Sequence, residues 1–474
     1  LEHAGDPTIG GYARLKGLFR KLQAEAAALG VPTLIFDGGD FTEGSQFNFA
    51  DKGRHSWVLM NALGYDAVVI GNHDWIVEPA DIQKTPPSFP APTFALLGAN
   101  FLPSPRLSFI KEHLKPHAVF ERGSHRIGVV GLTSPEITYR WLSLGSQIRS
   151  HVEVGVQEVA SLRRQADYVI ALNHLGLKAD REAAEHIPGL DLIVGGHSHD
   201  LVRPEYVRNL KTGQRVPIVQ AWKHGEYVGL LKLDLQPDQA GQKGRIEVRS
   251  HEAIPLTDFT ATPDAEVADL VRDARLGLEA TYGASWLYEK IGESKVPLEK
   301  QRSHEATPWS RLVTESFLDS TGADLAIDVP EFNGLAQPAG ALNRESLIRL
   351  YPRSFDASRP TGWSLWTLEM RGSFLYFFLK SILSRKIHLS VAGITYEASE
   401  NKDGTLDISR IRLQGQRIHP FRDYVIAVPE GMGAGAVHFS AWLRYTAKNP
   451  KDTGVSIWDS IEKRIRKISP ITGF

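Results

Sequence analysis

Between residues 33 and 199, four short β-branched runs are each followed at once by a cluster of glycines and metal-type ligands. The clusters are Asp37-Gly38-Gly39-Asp40, Gly71-Asn72-His73-Asp74, Asn173-His174 and Gly195-Gly196-His197-Ser198-His199. Ligand sites in open α/β sheets lie beyond the carboxyl ends of the strands. Four strand ends carrying Asp, Asn, His and His-x-His therefore predict a layered α/β domain with a metal centre on one rim. Taken singly, each cluster is ordinary turn chemistry, because Asp, Asn and Gly dominate turns. Their repetition in order after predicted strands is what points to a site.

The remaining pattern fits that frame. Candidate strands are Thr33–Phe36, Ala67–Ile70, Phe94–Gly98, Ile127–Leu132, Tyr168–Leu172, Leu192–Val194 and Tyr227–Leu235, and amphipathic helices such as Ala13–Leu29 lie between the first of them. The polar turn Gln236–Gly244 and the helix start at Thr262-Pro263-Asp264 mark a break. The expected organisation is a domain over 1–250, a linker with a connecting helix over 251–284, and a mixed α+β domain over 285–474. Helices are expected at Ala265–Leu278, Pro308–Ser320 and Ser373–Ser384, and strands at Leu325–Ile327 and Tyr424–Val428.

Composition narrows the chemistry. Lys and Arg number 54 against 55 Asp and Glu, a formal charge of -1, which excludes the broad electrostatic footprint of a non-specific nucleic-acid binder. No apolar run has the roughly 18–20 residues of a membrane span, and Phe374–Leu383 reads as a core helix. The 474 residues include no cysteine, so disulfides, thiolate nucleophiles and Cys-type zinc sites are excluded. The glycine pairs Gly38-Gly39 and Gly195-Gly196 let the backbone turn sharply, so the next side chain projects over the sheet edge. If extended, His197 and His199 point to one side and can serve two neighbouring ions. Asp40 has two oxygens with which to bridge them, and Asn72 offers a neutral carbonyl ligand.

These segments, with Gly10-Gly11-Tyr12-Ala13-Arg14, resemble the calcineurin-like metallophosphoesterases, and more narrowly the bacterial 5'-nucleotidase/UDP-sugar hydrolase family. The resemblance is specific over 10–235 and loose from 285 onward. It implies an α/β (α+β) fold: a four-layer metallophosphoesterase β-sandwich flanked by helices, plus a smaller α+β C-terminal domain joined by a helix. Carried over residue by residue, it makes Asp40 the carboxylate bridging two divalent ions. Asn72, His174 and His197 would complete one ion and His199 would ligate the other. His73, with Asn72, would stabilise the transferring phosphoryl group or protonate the leaving oxygen. Asn100 matches a family position near a strand end.

The implied activity is metal-dependent hydrolysis of a nucleotide or related small phosphate ester, with nucleic acid not expected as partner. Histidine-rich N/O ligation suits Mn, Zn, Fe, Co or Ni better than the oxygen shells of Mg and Ca. The alternatives are a non-catalytic or single-metal binding protein on this scaffold and a thiosulfohydrolase-like sulfur-ester hydrolase, a branch that departs at Gly71-Asn72-His73-Asp74. Periplasmic or cell-surface residence follows from the resemblance and the absent cysteine.

Three features depart from the family pattern. An Asp-x-His strand end normally opens the domain, whereas this chain starts at Leu1-Glu2 and reads as a processed or truncated product, with His3 and Asp6 as the alternative ligands. The acid that pairs with the catalytic histidine is expected at position 76, which is Ile76, leaving Asp74, Glu43 and Glu78 as candidates. In the second domain, Pro330–Gly334 and Gly431–Gly435 replace the usual nucleotide-binding segments, so Arg349, Arg353, Phe332 and Phe355 are the substrate-binding candidates there, with Asn100 in the first domain.

Overall fold

A computed structural model describes the chain except residues 1, 4, 5, 43, 45, 52, 76–88, 136–144, 238–243, 304, 354–360, 385–388, 403, 404, 435–445 and 474. It comprises two compact units. Leu1–Glu43 and Ala50–Gly277 form the first, and Gly44–Phe49 with Leu278–Phe474 form the second.

The first unit contains a six-stranded sheet. Its order is Leu201–Arg208, Arg215–Ala221, Leu192–Val194, Tyr168–His174, His125–Thr133, His117–Arg122. The four inner strands are parallel and both edges antiparallel. A three-stranded parallel sheet joins Phe36–Asp37, Ala67–Val69 and Ala95–Leu97.

Side chains alternate along these strands, which is what builds the layers. Val129, Ile170 and Leu172 pack with Ala67, Val69 and Leu97 of the smaller sheet. Val130, Val169 and Ala171 point the other way, onto Val159, Leu162, Ala183 and Ala184 of the helices His151–Leu162 and Leu177–His186. On the far side, Val68, Ile70 and Leu96 pack on Phe19, Trp57, Met60 and Leu63 from the helices Tyr12–Ala28 and Arg54–Leu63. Helix, sheet, sheet, helix is the four-layer sandwich expected.

Two details differ from the sequence reading. The first strand begins at Phe36 rather than Thr33, because the Ile35 amide donates to Asp66 Oδ2 (2.8 Å) before the ladder starts. The helix Ala265–Tyr282 has its start tied into the first unit: Asp264 caps it by accepting from the Val267 amide (3.0 Å) and donates its own amide to the Ala13 carbonyl (2.9 Å).

The second unit holds a five-stranded mixed sheet ordered Ser390–Ala392, Leu325–Asp328, Asp423–Pro429, Ser364–Arg371, Ala447–Ser456. Leu325–Asp328 runs parallel to Asp423–Pro429 and the other pairs are antiparallel. The helix Pro308–Thr321 starts in a capping box at Thr307 with proline in its first turn, and it packs beside Ile457–Ile468. Among the described residues no helix is long and apolar enough to cross a membrane.

Candidate metal centre

The four strand-end clusters come together in the first unit. His174, the last residue of the strand Tyr168–His174, is the hub. Its Nδ1 lies 2.6 Å from the Gly38 carbonyl, so Nδ1 carries the proton and Nε2 faces the cluster. From Nε2 it is 2.9 Å to Asp40 Oδ2, 3.1 Å to Asn72 Oδ1 and 3.2 Å to His197 Nδ1. Donor atoms of Asp40, His174 and His197 all lie within 4.8 Å of one another. Tetrahedral bonds of about 2.1 Å place donors roughly 3.4 Å apart. The set therefore has the spacing and chemistry to hold a divalent ion.

Close packing makes this convergence possible. A Cβ on Gly39 would lie 2.5 Å from the Val69 carbonyl and 3.0 Å from His174 Nδ1; one on Gly196 would lie 2.6 Å from the Gly38 carbonyl. The turn at Gly196 closes with the Ser198 amide donating to the Gly196 carbonyl (2.9 Å), and both histidines adopt left-handed backbone, φ 74° at His197 and φ 57° at His199. The pair is thus not extended, so the condition under which both rings would point to one side is not met. His197 faces His174, whereas the His199 ring lies 5.6 Å from that of His224.

Asp40 is also left-handed at φ 61°, a conformation that persists in a non-glycine residue only when its surroundings enforce it. Asp74 supplies the restraint. Its buried carboxylate accepts from the amides of Gly71 (2.7 Å), Asp40 (2.9 Å), Phe41 (2.8 Å) and Thr42 (3.2 Å), and from Thr42 Oγ1 (3.2 Å). Asp74 therefore braces the Asp40 loop, and Glu43 and Glu78, the other acids considered for His73, lie outside the described residues. His73 itself donates its amide to Asp40 Oδ1 (2.9 Å).

The charges suit a cation. Burial alone would raise the Asp40 carboxyl, but the imidazoles of His174 and His73 hold it well below the usual carboxylate range. Burial would lower His174, yet its contacts with Asp40 and the Gly38 carbonyl lift it to about 9. Asp74 is pushed up to about 6 by burial and the Asp40 charge.

Sequence reasoning missed Asp180. It is fully buried on the helix Leu177–His186, accepts from Asn173 Nδ2 (2.9 Å), and is raised to about 7 by burial. Its Oδ2 sits 2.4 Å from where a Cβ on Gly195 would lie, so it packs under two of the strand-end turns. An acid in the first turn of a helix following His174 was the available signal.

The substrate-binding candidates land elsewhere. Asn100 is fully buried, with Nδ2 donating to the Thr133 (2.8 Å) and Arg149 (3.2 Å) carbonyls and Oδ1 accepting from the Thr133 amide (2.8 Å). It ties strand ends together instead of facing a ligand. Phe332 is buried in the second unit's core, edge-on to Trp363 at 4.9 Å. Arg353 donates to the carbonyls of Phe332 (2.9 Å) and Glu331 (2.8 Å), bracing that turn. Arg349 donates to Gln46 Oε1 (2.8 Å) and Glu345 Oε1 (2.9 Å), all within the second unit. Phe355 lies outside the described residues.

A four-layer unit whose strand ends bring Asp, Asn and two His to one point has the build of a metallophosphoesterase. Residues 3–201 match the calcineurin-like phosphoesterase family, and residues 290–444 match the 5'-nucleotidase C-terminal domain. The chain belongs to the calcineurin-like metallophosphoesterases of the 5'-nucleotidase family, which are hydrolases. It is 26% identical to Protein UshA of Yersinia enterocolitica, over 88% of this chain and 80% of that protein. It is 29% identical to the snake venom 5'-nucleotidase of Crotalus adamanteus, over 98% and 83%. In fold it is similar to a 5'-nucleotidase precursor from Thermus thermophilus, with TM-score 0.82 and 23% identity over 100% of this chain and 94% of that one. A sulfate thiohydrolase, SoxB, from the same genus shares the fold at TM-score 0.74 and 19% identity, over 98% and 81%. Neither the sulfur-ester reading nor the non-catalytic one is favoured by these matches.

Proposed function

We propose that this chain is a two-ion phosphomonoesterase that releases phosphate from nucleotides or closely related phosphate esters. The observation that carries the reading is the convergence of Asp40, Asn72 and His197 on His174 Nε2, all within 3.2 Å. Bound divalent ions supply Lewis-acid charge and an activated water. Asp40, kept anionic by its neighbours, would be the carboxylate shared between the ions, Asn72, His174 and His197 would hold one of them, and His199 would serve the other. His73, whose amide donates to Asp40 Oδ1, would steady the transferring phosphoryl group and hand a proton to the leaving oxygen.

Nucleotide specificity is supported by the match of 290–444 to the 5'-nucleotidase C-terminal domain and by relatives named 5'-nucleotidase. An exported location is supported by a 474-residue chain without cysteine.

The test pairs elemental analysis with a phosphate-release screen of nucleoside monophosphates under Mn, Zn and Co supplementation. Chelator-sensitive release, lost in His174→Ala, is the expected result. No ion uptake and no release under any supplement would overturn the proposal.

A further inference from the structure

The run Phe374–Leu383, expected as a core helix, is core on one face only. In the helix Gly372–Leu383, Leu375, Phe378, Leu379 and Leu383 are buried, whereas Phe374 is 51% exposed, Tyr376 39% and Phe377 69%. A surface helix ordinarily sets polar residues opposite its apolar stripe. Here the outward face is aromatic, and Lys380 is the only charged residue of the helix. A fourth ring adjoins it. Phe421, 75% exposed, stands on a turn fastened to the start of the helix. The Gly372 amide donates to the Arg422 carbonyl (2.8 Å), the Ser373 amide to the Pro420 carbonyl (3.0 Å) and Arg371 Nη1 to the Phe421 carbonyl (2.8 Å). The charges beside that turn are paired, Arg371 with Asp423 (2.8 Å) and Arg422 with Asp324 (3.1 Å).

The size of this patch decides what can cover it. The exposed fractions of the four rings leave the equivalent of about 2.3 aromatic side chains in water, about 470 Å² at roughly 200 Å² each. A standard stable interface takes about 800 Å² from each partner, of which roughly 57%, or about 460 Å², is apolar. The four rings thus supply the whole apolar share of one such interface. The pattern along the helix is also self-complementary. Phe377 lies at the midpoint of Gly372–Leu383, with Phe374 and Lys380 three residues to either side. Two copies packed antiparallel about Phe377 set each Lys380 ammonium against the partner's Phe374, a cation–π contact made twice by the twofold symmetry.

We propose that the aromatic face of Gly372–Leu383, together with Phe421, is the interface through which two copies of this chain form a twofold dimer. Phe377 is its centre, and Lys380 is the one charge on the helix that the pairing has to satisfy.

Sedimentation equilibrium of the full chain, compared with Phe377→Ser, Lys380→Glu and Phe259→Ser, tests this. Phe259, an exposed phenylalanine of the first unit, is the control. Each substitution replaces a surface side chain, and thermal melts verify that the variants fold. Interfaces of standard size hold with a Kd of about 1 µM or tighter, so wild type is expected to be a dimer. A central aromatic anchor is worth roughly 30-fold or more in affinity, and Phe377→Ser is expected to weaken the dimer by that factor. Lys380→Glu is expected to weaken it several-fold, and Phe259→Ser to leave it unchanged. A wild-type chain still monomeric at about 100 µM, well above that Kd, would overturn the proposal, as would a dimer equally tight in Phe377→Ser. Flotation with phosphatidylglycerol vesicles tests the other occupant. A monomer that floats with them, and ceases to in Phe377→Ser, gives the face to a lipid surface and overturns the dimer.

Discussion

Replacing Gly71 by alanine sets a carbon 2.1 Å from Asp40 Oδ1, 2.5 Å from the Asp40 amide nitrogen and 2.8 Å from Asp40 Cγ. Gly71 is not in the left-handed region, so an alanine backbone is tolerated and the perturbation is purely steric. Restoring a carbon–oxygen contact of about 3.5 Å requires the carboxylate to retreat by roughly 1.4 Å. Metal sites tolerate deviations of only about 0.2 Å in ligand distance. Overpacking of this kind costs about 1–3 kcal/mol in stability, so the variant is expected to fold. Its ion affinity is expected to fall by about 100-fold or more, with phosphate release falling in step. Gly229→Ala is the control, since its nearest neighbour would be 3.5 Å away at Ala221 Cβ. Chemical denaturation and chelator competition on the three proteins separate the two effects. Wild-type ion affinity in Gly71→Ala would refute the reasoning, because Asp40 would then not be the residue that holds the ions.

Asp74→Asn turns one carboxylate oxygen into a donor facing two N–H groups, and removing two charge-assisted hydrogen bonds costs about 3 kcal/mol or more. Denaturation with and without ions should show that loss, and an unchanged midpoint would mean the loop is braced by something else. Asn100→Ala is expected to cost about 2–4 kcal/mol through its three backbone hydrogen bonds while leaving KM unchanged in the folded fraction; a raised KM at unchanged stability would make Asn100 a substrate contact after all. Asp328, buried with Tyr351 Oη (2.9 Å) and Asn333 Nδ2 (2.8 Å) donating to it, is raised by burial to about 7 from an ordinary 3.8. Between those values the native state binds the proton that the unfolded chain has released, so this group's contribution to stability falls as pH rises through the window. Asp328→Asn should flatten that part of a melting-temperature profile taken from pH 4 to 8, and an unaltered slope would contradict it.

The strand ends were legible because their signals are local. A β-branched run raises strand preference, and the glycine and aspartate that follow demand a turn. Strands that carry an internal proline were harder to see: Leu201–Arg208 holds Pro204 and Arg215–Ala221 holds Pro217, and the pairing of those two shifts register between Val202 and Glu205.

By itself the sequence determined which residue types stand at which strand ends, and hence the class of metal chemistry. Turn geometry and ligand identity are written within a few consecutive residues. Only the tertiary structure decided which of those side chains meet and which are already taken by backbone. Asn100 and Phe332 looked available for a ligand. One has its amide satisfied by Thr133 and Arg149, however, and the other fills a core against Trp363. Asp74, in the same short cluster as Asn72 and His73, holds four amides of the chain and anchors the Asp40 loop. Burial and hydrogen-bond satisfaction are properties of contacts between distant segments, and those contacts exist only once the layers have packed.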